Sequence, residues 1–301
     1  MRSLLKLKEE NLLFFDIETA PLVEELEPDT PLYDSWEYKV NKGGEHTQKE
    51  VIETYKEQAG LYPEFAKVVS IVVGKIQDGG IALITLDNED ESKILKEFNK
   101  TVNRNSNCSL VGFVNKGFDS PFIFKRMLIN GITPVDKLDN SGLKPWELDE
   151  VDLAEEWKGT SFNRASLINI ATVFGLPSPK DDINGADVGR VYWEGGLKRI
   201  SKYCRKDVAT TINIFRCMVG REPLEVSSGD FEEVPLVKRL FGGGKFGKDE
   251  KQELLEILKG LSVAERKEAF VILESMVSTA KGKKTKITKK AIKELKKHID
   301  D

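Results

Sequence analysis

The sequence is poor in the residues that build soft-metal and histidine centres. Its 301 residues include three cysteines, Cys108, Cys204 and Cys217. The number is odd, the spacing is wide and no paired-cysteine metal pattern occurs, which argues against a zinc site and suits a reducing compartment. There are two histidines, His46 in a long polar insertion and His298 near the end of the chain; neither belongs to a motif, and both are read as solvated. No run approaches the roughly 18 apolar residues of a membrane span, so no membrane partner is expected. The opening Met1-Arg2-Ser3-Leu4-Leu5-Lys6 meets Lys8-Glu9-Glu10 before a secretory apolar region can form, and the expected location is cytoplasmic. An excess of basic charge is also missing: 46 Lys and Arg stand against 50 Asp and Glu, for a net charge of -4. Any contact with a polyanion should therefore be local rather than a general coating. The glycine run Phe241-Gly242-Gly243-Gly244-Lys245 lacks the Gly-Lys-Ser/Thr ending of a phosphate-binding loop and reads as a linker. What remains, 40% hydrophobic and 32% charged, is an ordinary globular composition with enough chain for one large core and a smaller appended unit.

Leu12-Leu13-Phe14-Phe15 is a short apolar run followed at once by Asp16-Ile17-Glu18. In a strand Asp16 and Glu18 point to one face, about 6 to 7 Å apart, while Phe15 and Ile17 point to the other. Two unpaired anions would repel there, and a divalent cation would remove the conflict. The alternative at this point is that the strand ends at Asp16 and the acids face water.

A polar insertion follows at about 21–63, with Pro21, Pro28 and Pro31 early and a helical stretch around 48–58. It is too long for a turn and is expected to form a flap or a partly helical excursion. Lys67 to Val73 and Ile81 to Leu86, separated by Asp78-Gly79-Gly80, predict a hairpin. Residues 91–102 predict an amphipathic helix, and 110–114 a buried strand running into Asn115-Lys116-Gly117-Phe118-Asp119-Ser120-Pro121. Proline there suits a first helical turn, which predicts Asp119 or Ser120 as N-cap and a helix over 121–129. A short strand at 150–153 and helices at 164–174 and 196–217 complete a mixed sheet with helices on its faces. Beyond about 220 the expectation is a linker over 220–247 and a small all-helical extension over 248–301. Nine lysines against one acid between Lys281 and Lys297 suit either a nucleic-acid contact or a solvated helix.

Four acids thus stand in comparable settings: Asp16 and Glu18 at a strand end, Asp119 at a strand-to-helix junction, and Asp207 on a long helix, one turn after Tyr203. Their convergence would require metal ions, and an all-oxygen donor set points to Mg²⁺ or Mn²⁺.

Phe15-Asp16-Ile17-Glu18-Thr19, Asn115-Lys116-Gly117-Phe118-Asp119 and Tyr203-Cys204-Arg205-Lys206-Asp207 resemble the three motifs of the DEDD superfamily of 3′-5′ exonucleases, in the version with tyrosine in the third motif. The span from about Asn11 to Phe215 further resembles predicted exonucleases related to the proofreading domain of family B DNA polymerases. Leu61 to Val69, Leu143-Lys144-Pro145-Trp146 with Val151-Asp152-Leu153, Ala165-Ser166-Leu167 and Gly175-Leu176-Pro177 support it. In the sister version a histidine stands five residues before the last aspartate; here that position is Lys202.

The resemblance implies an RNase H-like α/β fold over residues 1–219, with Asp16, Glu18, Asp119 and Asp207 holding two divalent ions and Tyr203 orienting the attacking water. Thr19, Asn115 and Phe118 become candidates for contacting the terminal nucleotide, and Asp152 is read as structural. The expected activity is release of nucleoside monophosphates from single-stranded DNA 3′ ends. The alternatives are an RNA-processing exoribonuclease or a non-catalytic nucleic-acid-binding module. No polymerase motif is visible, so a polymerase or replication protein would be a partner in trans, met through the C-terminal helices.

Overall fold

The apolar run at the start of the chain becomes the central strand of a five-stranded sheet in the computed structural model, which describes residues 4–77, 79–178 and 183–225. Strand β1 (Leu12–Pro21) is flanked on one side by β2 (Ala66–Gln77) and β3 (Gly80–Asp87), both antiparallel to their neighbours. On its other side lie β4 (Ser109–Gly112) and β5 (Glu150–Asp152), both parallel. The order β3-β2-β1-β4-β5, with helices on both faces, is the mixed sheet the sequence predicts and the RNase H-like architecture the resemblance implies.

Alternation along β1 divides the core. Leu13, Phe15 and Ile17 pack on one face with helices α3 (Glu91–Arg104) and α4 (Asp119–Ile129). Leu12 and Phe14 face the long helix α8 (Leu197–Met218), where Phe14 and Phe215 meet edge to face at 5.7 Å. Asp16, Glu18 and Ala20 continue that second face. Helix α8 lies close on the sheet because β2 has a glycine beneath it: a Cβ on Gly74 would sit 2.8 Å from Val208 and 2.9 Å from Ile212. Ser201 donates to Asp87, and Arg205 to Thr85, so polar bonds also tie this helix to β3.

The insertion is a unit with its own core. Helix α1 (Pro31–Val40), capped by Thr30, packs on α2 (Gln48–Gln58), which opens with a Thr47/Glu50 capping box. Trp36 is fully buried between Tyr55 and Phe65. The expected helix at 48–58 is present, and α1 was not foreseen. Buried Arg126 pairs with buried Glu91 at 2.6 Å and donates to the Pro63 carbonyl, so α3 and α4 hold the chain where the insertion returns to β2.

Elsewhere the boundaries moved. Strand β4 ends at Gly112, because Val114 takes a left-handed φ of 66°. The helix expected at 164–174 is the shorter α6 (Leu167–Val173), because Ser166 leaves the helix to cap it and accepts the Asn169 N–H. Two short helices, α5 (Leu153–Lys158) and α7 (Val188–Trp193), had no predicted counterpart. Contacts divide the chain into Met1–Glu232 and Glu233–Asp301. The latter unit, with the predicted helical extension and its lysines, lies outside the described residues, as does most of the predicted linker.

Candidate active site

Asp16 and Glu18 follow Leu12 and Phe14 on the face of β1 beneath α8, as period-two alternation requires. Glu18 is 7% exposed and Asp119 4%; Asp16 and Asp207 are half-buried. Asp119 reaches β1 from the loop after β4. That strand pairs with β1 only from Leu12 to Phe14, so the Ile17 N–H has no ladder partner on that side; Asp119 Oδ1 accepts it at 3.1 Å. Asp119 is therefore the first residue of α4 and not its N-cap. Phe118 holds the cap position without a side-chain bond, since the carboxylate expected to cap the helix is used on a strand 102 residues away.

The loop that delivers Asp119 is strained and clamped. A β-branched residue with positive φ, as at Val114, is a true outlier and persists only where its surroundings over-determine it. The Val114 N–H donates to Asp152 Oδ1 at 3.0 Å, while its carbonyl accepts the N–H groups of Gly117 and Phe118. The same Asp152 oxygen caps α5, accepting from Ala154 and Glu155. Asp152 is thus a structural clamp, in line with its reading from sequence.

Asn115 takes part in the closure of this loop. It is fully buried, folded over Gly112 so closely that a Cβ there would lie 2.6 Å from its own Cβ, and its amide donates to Glu150 at 2.7 Å. Ser120 donates to the same carboxylate. This network closes the loop around Asp119, and it engages the Asn115 amide nitrogen while the buried Oδ1 has no hydrogen-bond partner. Thr19 donates its hydroxyl to the Gly60 carbonyl at 2.7 Å, which joins the end of the insertion to the strand bearing the acids. Phe118 is half-buried and packs on Phe122, with centroids 5.4 Å apart.

The four acids act on one another. Burial, then the charges of Asp119 and Asp207, push the Asp16 carboxyl well above the usual range. Glu18 is raised likewise by burial and by Asp16, Asp207 and Asp119. Asp119 and Asp207 are both raised to about 7, with burial the main cause. Tyr203, one turn before Asp207, hydrogen-bonds to it; burial and the neighbouring acids push its phenol upward, so the hydroxyl stays protonated.

Cys204 belongs to this cluster and was not singled out from sequence. Its Sγ lies 3.3 Å from Asp16 Oδ2 and 3.5 Å from the Asp16 carbonyl, and ligand atoms of Asp16, Glu18 and Cys204 all fall within 4.8 Å of one another. Burial and the same acids raise the thiol far above its usual range. In the metal-free site the protonated thiol donates to the Asp16 carboxylate oxygen. The available signal was its place within the Tyr203 to Asp207 turn. His46 stays with its own loop, its ring bonded to Asn41 and Gly44. Among the described residues, no helix is long and apolar enough to cross a membrane.

No curated protein matches the chain. Among solved structures, the family B DNA polymerase from the hyperthermophilic archaeon Pyrobaculum calidifontis aligns at 19% identity and a TM-score of 0.42. The alignment covers 76% of this chain and 28% of the polymerase, so the chain spans less than a third of that protein's length. A family model described as "Predicted 3'-5' exonuclease related to the exonuclease domain of PolB" matches residues 61–241. That stretch includes Asp119, Tyr203 and Asp207, while Asp16 and Glu18 lie ahead of it on β1. With more than half of its length matched, the chain belongs to this family of predicted 3′-5′ exonucleases related to the exonuclease domain of PolB.

Proposed function

We propose that Asp16, Glu18, Asp119 and Asp207 hold two divalent cations, Mg²⁺ or Mn²⁺, and that the enzyme hydrolyses the last phosphodiester of a single-stranded 3′ end, releasing nucleoside monophosphates. The observation that carries this is the mutual electrostatic conflict of four carboxylates from β1, α4 and α8 gathered about one end of β1. Such a cluster fits hard cations, which take oxygen ligands and neutralise the repulsion. Two bound ions would activate a water and take up charge on the departing 3′ oxygen.

The remaining roles belong to the chain. Tyr203 is a persistent hydroxyl, held by Asp207, and orients the attacking water; a phenol kept protonated is not a general base. The Ile17 N–H holds Asp119, and the Cys204 thiol holds Asp16, so two of the acids are aimed before substrate arrives. Thr19, tied to Gly60, and Phe118, packed on Phe122, are the proposed contacts to the terminal nucleotide. The family's relation to a DNA polymerase exonuclease domain favours DNA, with proofreading or repair as the setting and a polymerase or replication protein as a partner through residues 248–301.

The test is digestion of 3′-labelled single-stranded DNA, duplex DNA and RNA by wild type and Asp207→Ala with Mg²⁺ or Mn²⁺. Mononucleotide release from single-stranded DNA, lost in the variant, is the expected result. Preference for RNA would reassign the substrate, and no release from any strand between about pH 6 and 9 would overturn the reading.

A further inference from the structure

Lys67 lies on the sheet face that carries the acids. It pairs directly with Ala20 across the β1–β2 ladder, and cross-strand partners share a face. Ala20 follows Glu18 by two residues, about 6 to 7 Å along the strand. The register of β2 shifts between Glu18 and Thr19, leaving Val69 without a partner on β1. Bulges of this kind re-aim side chains beside active sites.

The surroundings of this amine are unusual for a lysine among so many acids. Its Nζ sits 4.6 Å from the ring centroid of Tyr192 and 5.2 Å from that of Trp193, both on α7. Tyr192 and Tyr203 pack on the same cluster, formed by Ala20, Val69, Val191 and Ile200. Gly189 lets α7 approach, since a Cβ there would lie 2.8 Å from Pro21. Among the described residues no carboxylate forms an ion pair with Lys67. The two π faces hold the ammonium without cancelling its charge.

A strand approaching four carboxylates brings its own negative charge, and a fixed cation on that face draws it in. We propose that Lys67, held by Tyr192 and Trp193, binds a backbone phosphate of the single strand whose 3′ end lies on the acids. This rests on the exonuclease reading and adds a substrate-binding residue to it.

The test is the salt dependence of binding of a fluorescent single-stranded oligonucleotide to the full chain, with Lys67→Met compared to wild type under Ca²⁺ to suppress turnover. Loss of one phosphate contact should lower the slope of log K against log salt by about 0.7. Lys67→Arg should restore the slope, and in Mg²⁺ assays Lys67→Met should raise KM more than it lowers kcat. A wild-type slope in Lys67→Met overturns the proposal. Should that variant melt early, Lys67→Gln and the arginine rescue decide on the same measurement. A wild type that binds strands but releases no mononucleotides in Mg²⁺ or Mn²⁺ would instead overturn the exonuclease reading.

Discussion

The carboxyls of Asp119 and Asp207 are held near 7, and those of Asp16 and Glu18 well above their usual range, so folding of the metal-free chain favours their protonated forms. The sign follows from proton counting. Below the unfolded values near 4 both states are protonated and nothing is lost; between about pH 4 and 7 the unfolded chain releases protons that the folded chain keeps, so stability falls as pH rises. With chelator present, the melting temperature should drop over this window. Mg²⁺ should recover it above about pH 7 and do little near pH 5, where protons compete with the ion. Asp16→Asn should flatten the drop; an equal pH slope in that variant and wild type would refute the assignment. Tyr203 makes a different prediction, because its hydroxyl stays protonated throughout. Tyr203→Phe should lower kcat about a hundredfold, the scale of misplacing one reacting group, without moving the pH profile.

Among the elements, the turn between β4 and α4 carries the most consequence per residue. Val114 stores backbone strain, and Asp152 accepts three N–H groups that hold this turn and the start of α5. Removing that carboxylate leaves partly buried donors without an acceptor and deletes a helix cap, so Asp152→Ala should cost about 2 to 3 kcal/mol by urea unfolding. Turnover should fall with it, because the turn positions Asp119. A variant as stable as wild type would show that the clamp is dispensable. The turn also shows what the sequence could not give for Asn115. Beside a motif aspartate its amide suggests a nucleotide contact, and its bond to Glu150, 35 residues on at the edge of the sheet, is not written locally.

At the scale of the molecule, every proposed catalytic group lies between Asp16 and Asp207, on β1, α4 and α8. A chain ending at residue 225 should therefore keep nucleotide release within about threefold of the full chain on short strands, with weaker capture of long or partner-bound ones; a folded but inactive truncation would assign chemistry to the rest. The apolar run with alternating acids, the hairpin and the amphipathic α3 and α8 were legible from sequence, because periods of 2 and 3.6 are written locally into side-chain order. Helix α1 was hidden because its buried Trp36 finds its partners in Tyr55 and Phe65, beyond any local window. The sequence by itself determined which acids lie on which elements and that an oxygen-rich cluster was possible. Only tertiary structure decided that Asp119 would end on the Ile17 N–H, that Cys204 would lie against Asp16, and that Asn115 would turn inward. Those outcomes depend on pairings across 102, 188 and 35 residues, which periodicity cannot encode and packing alone selects.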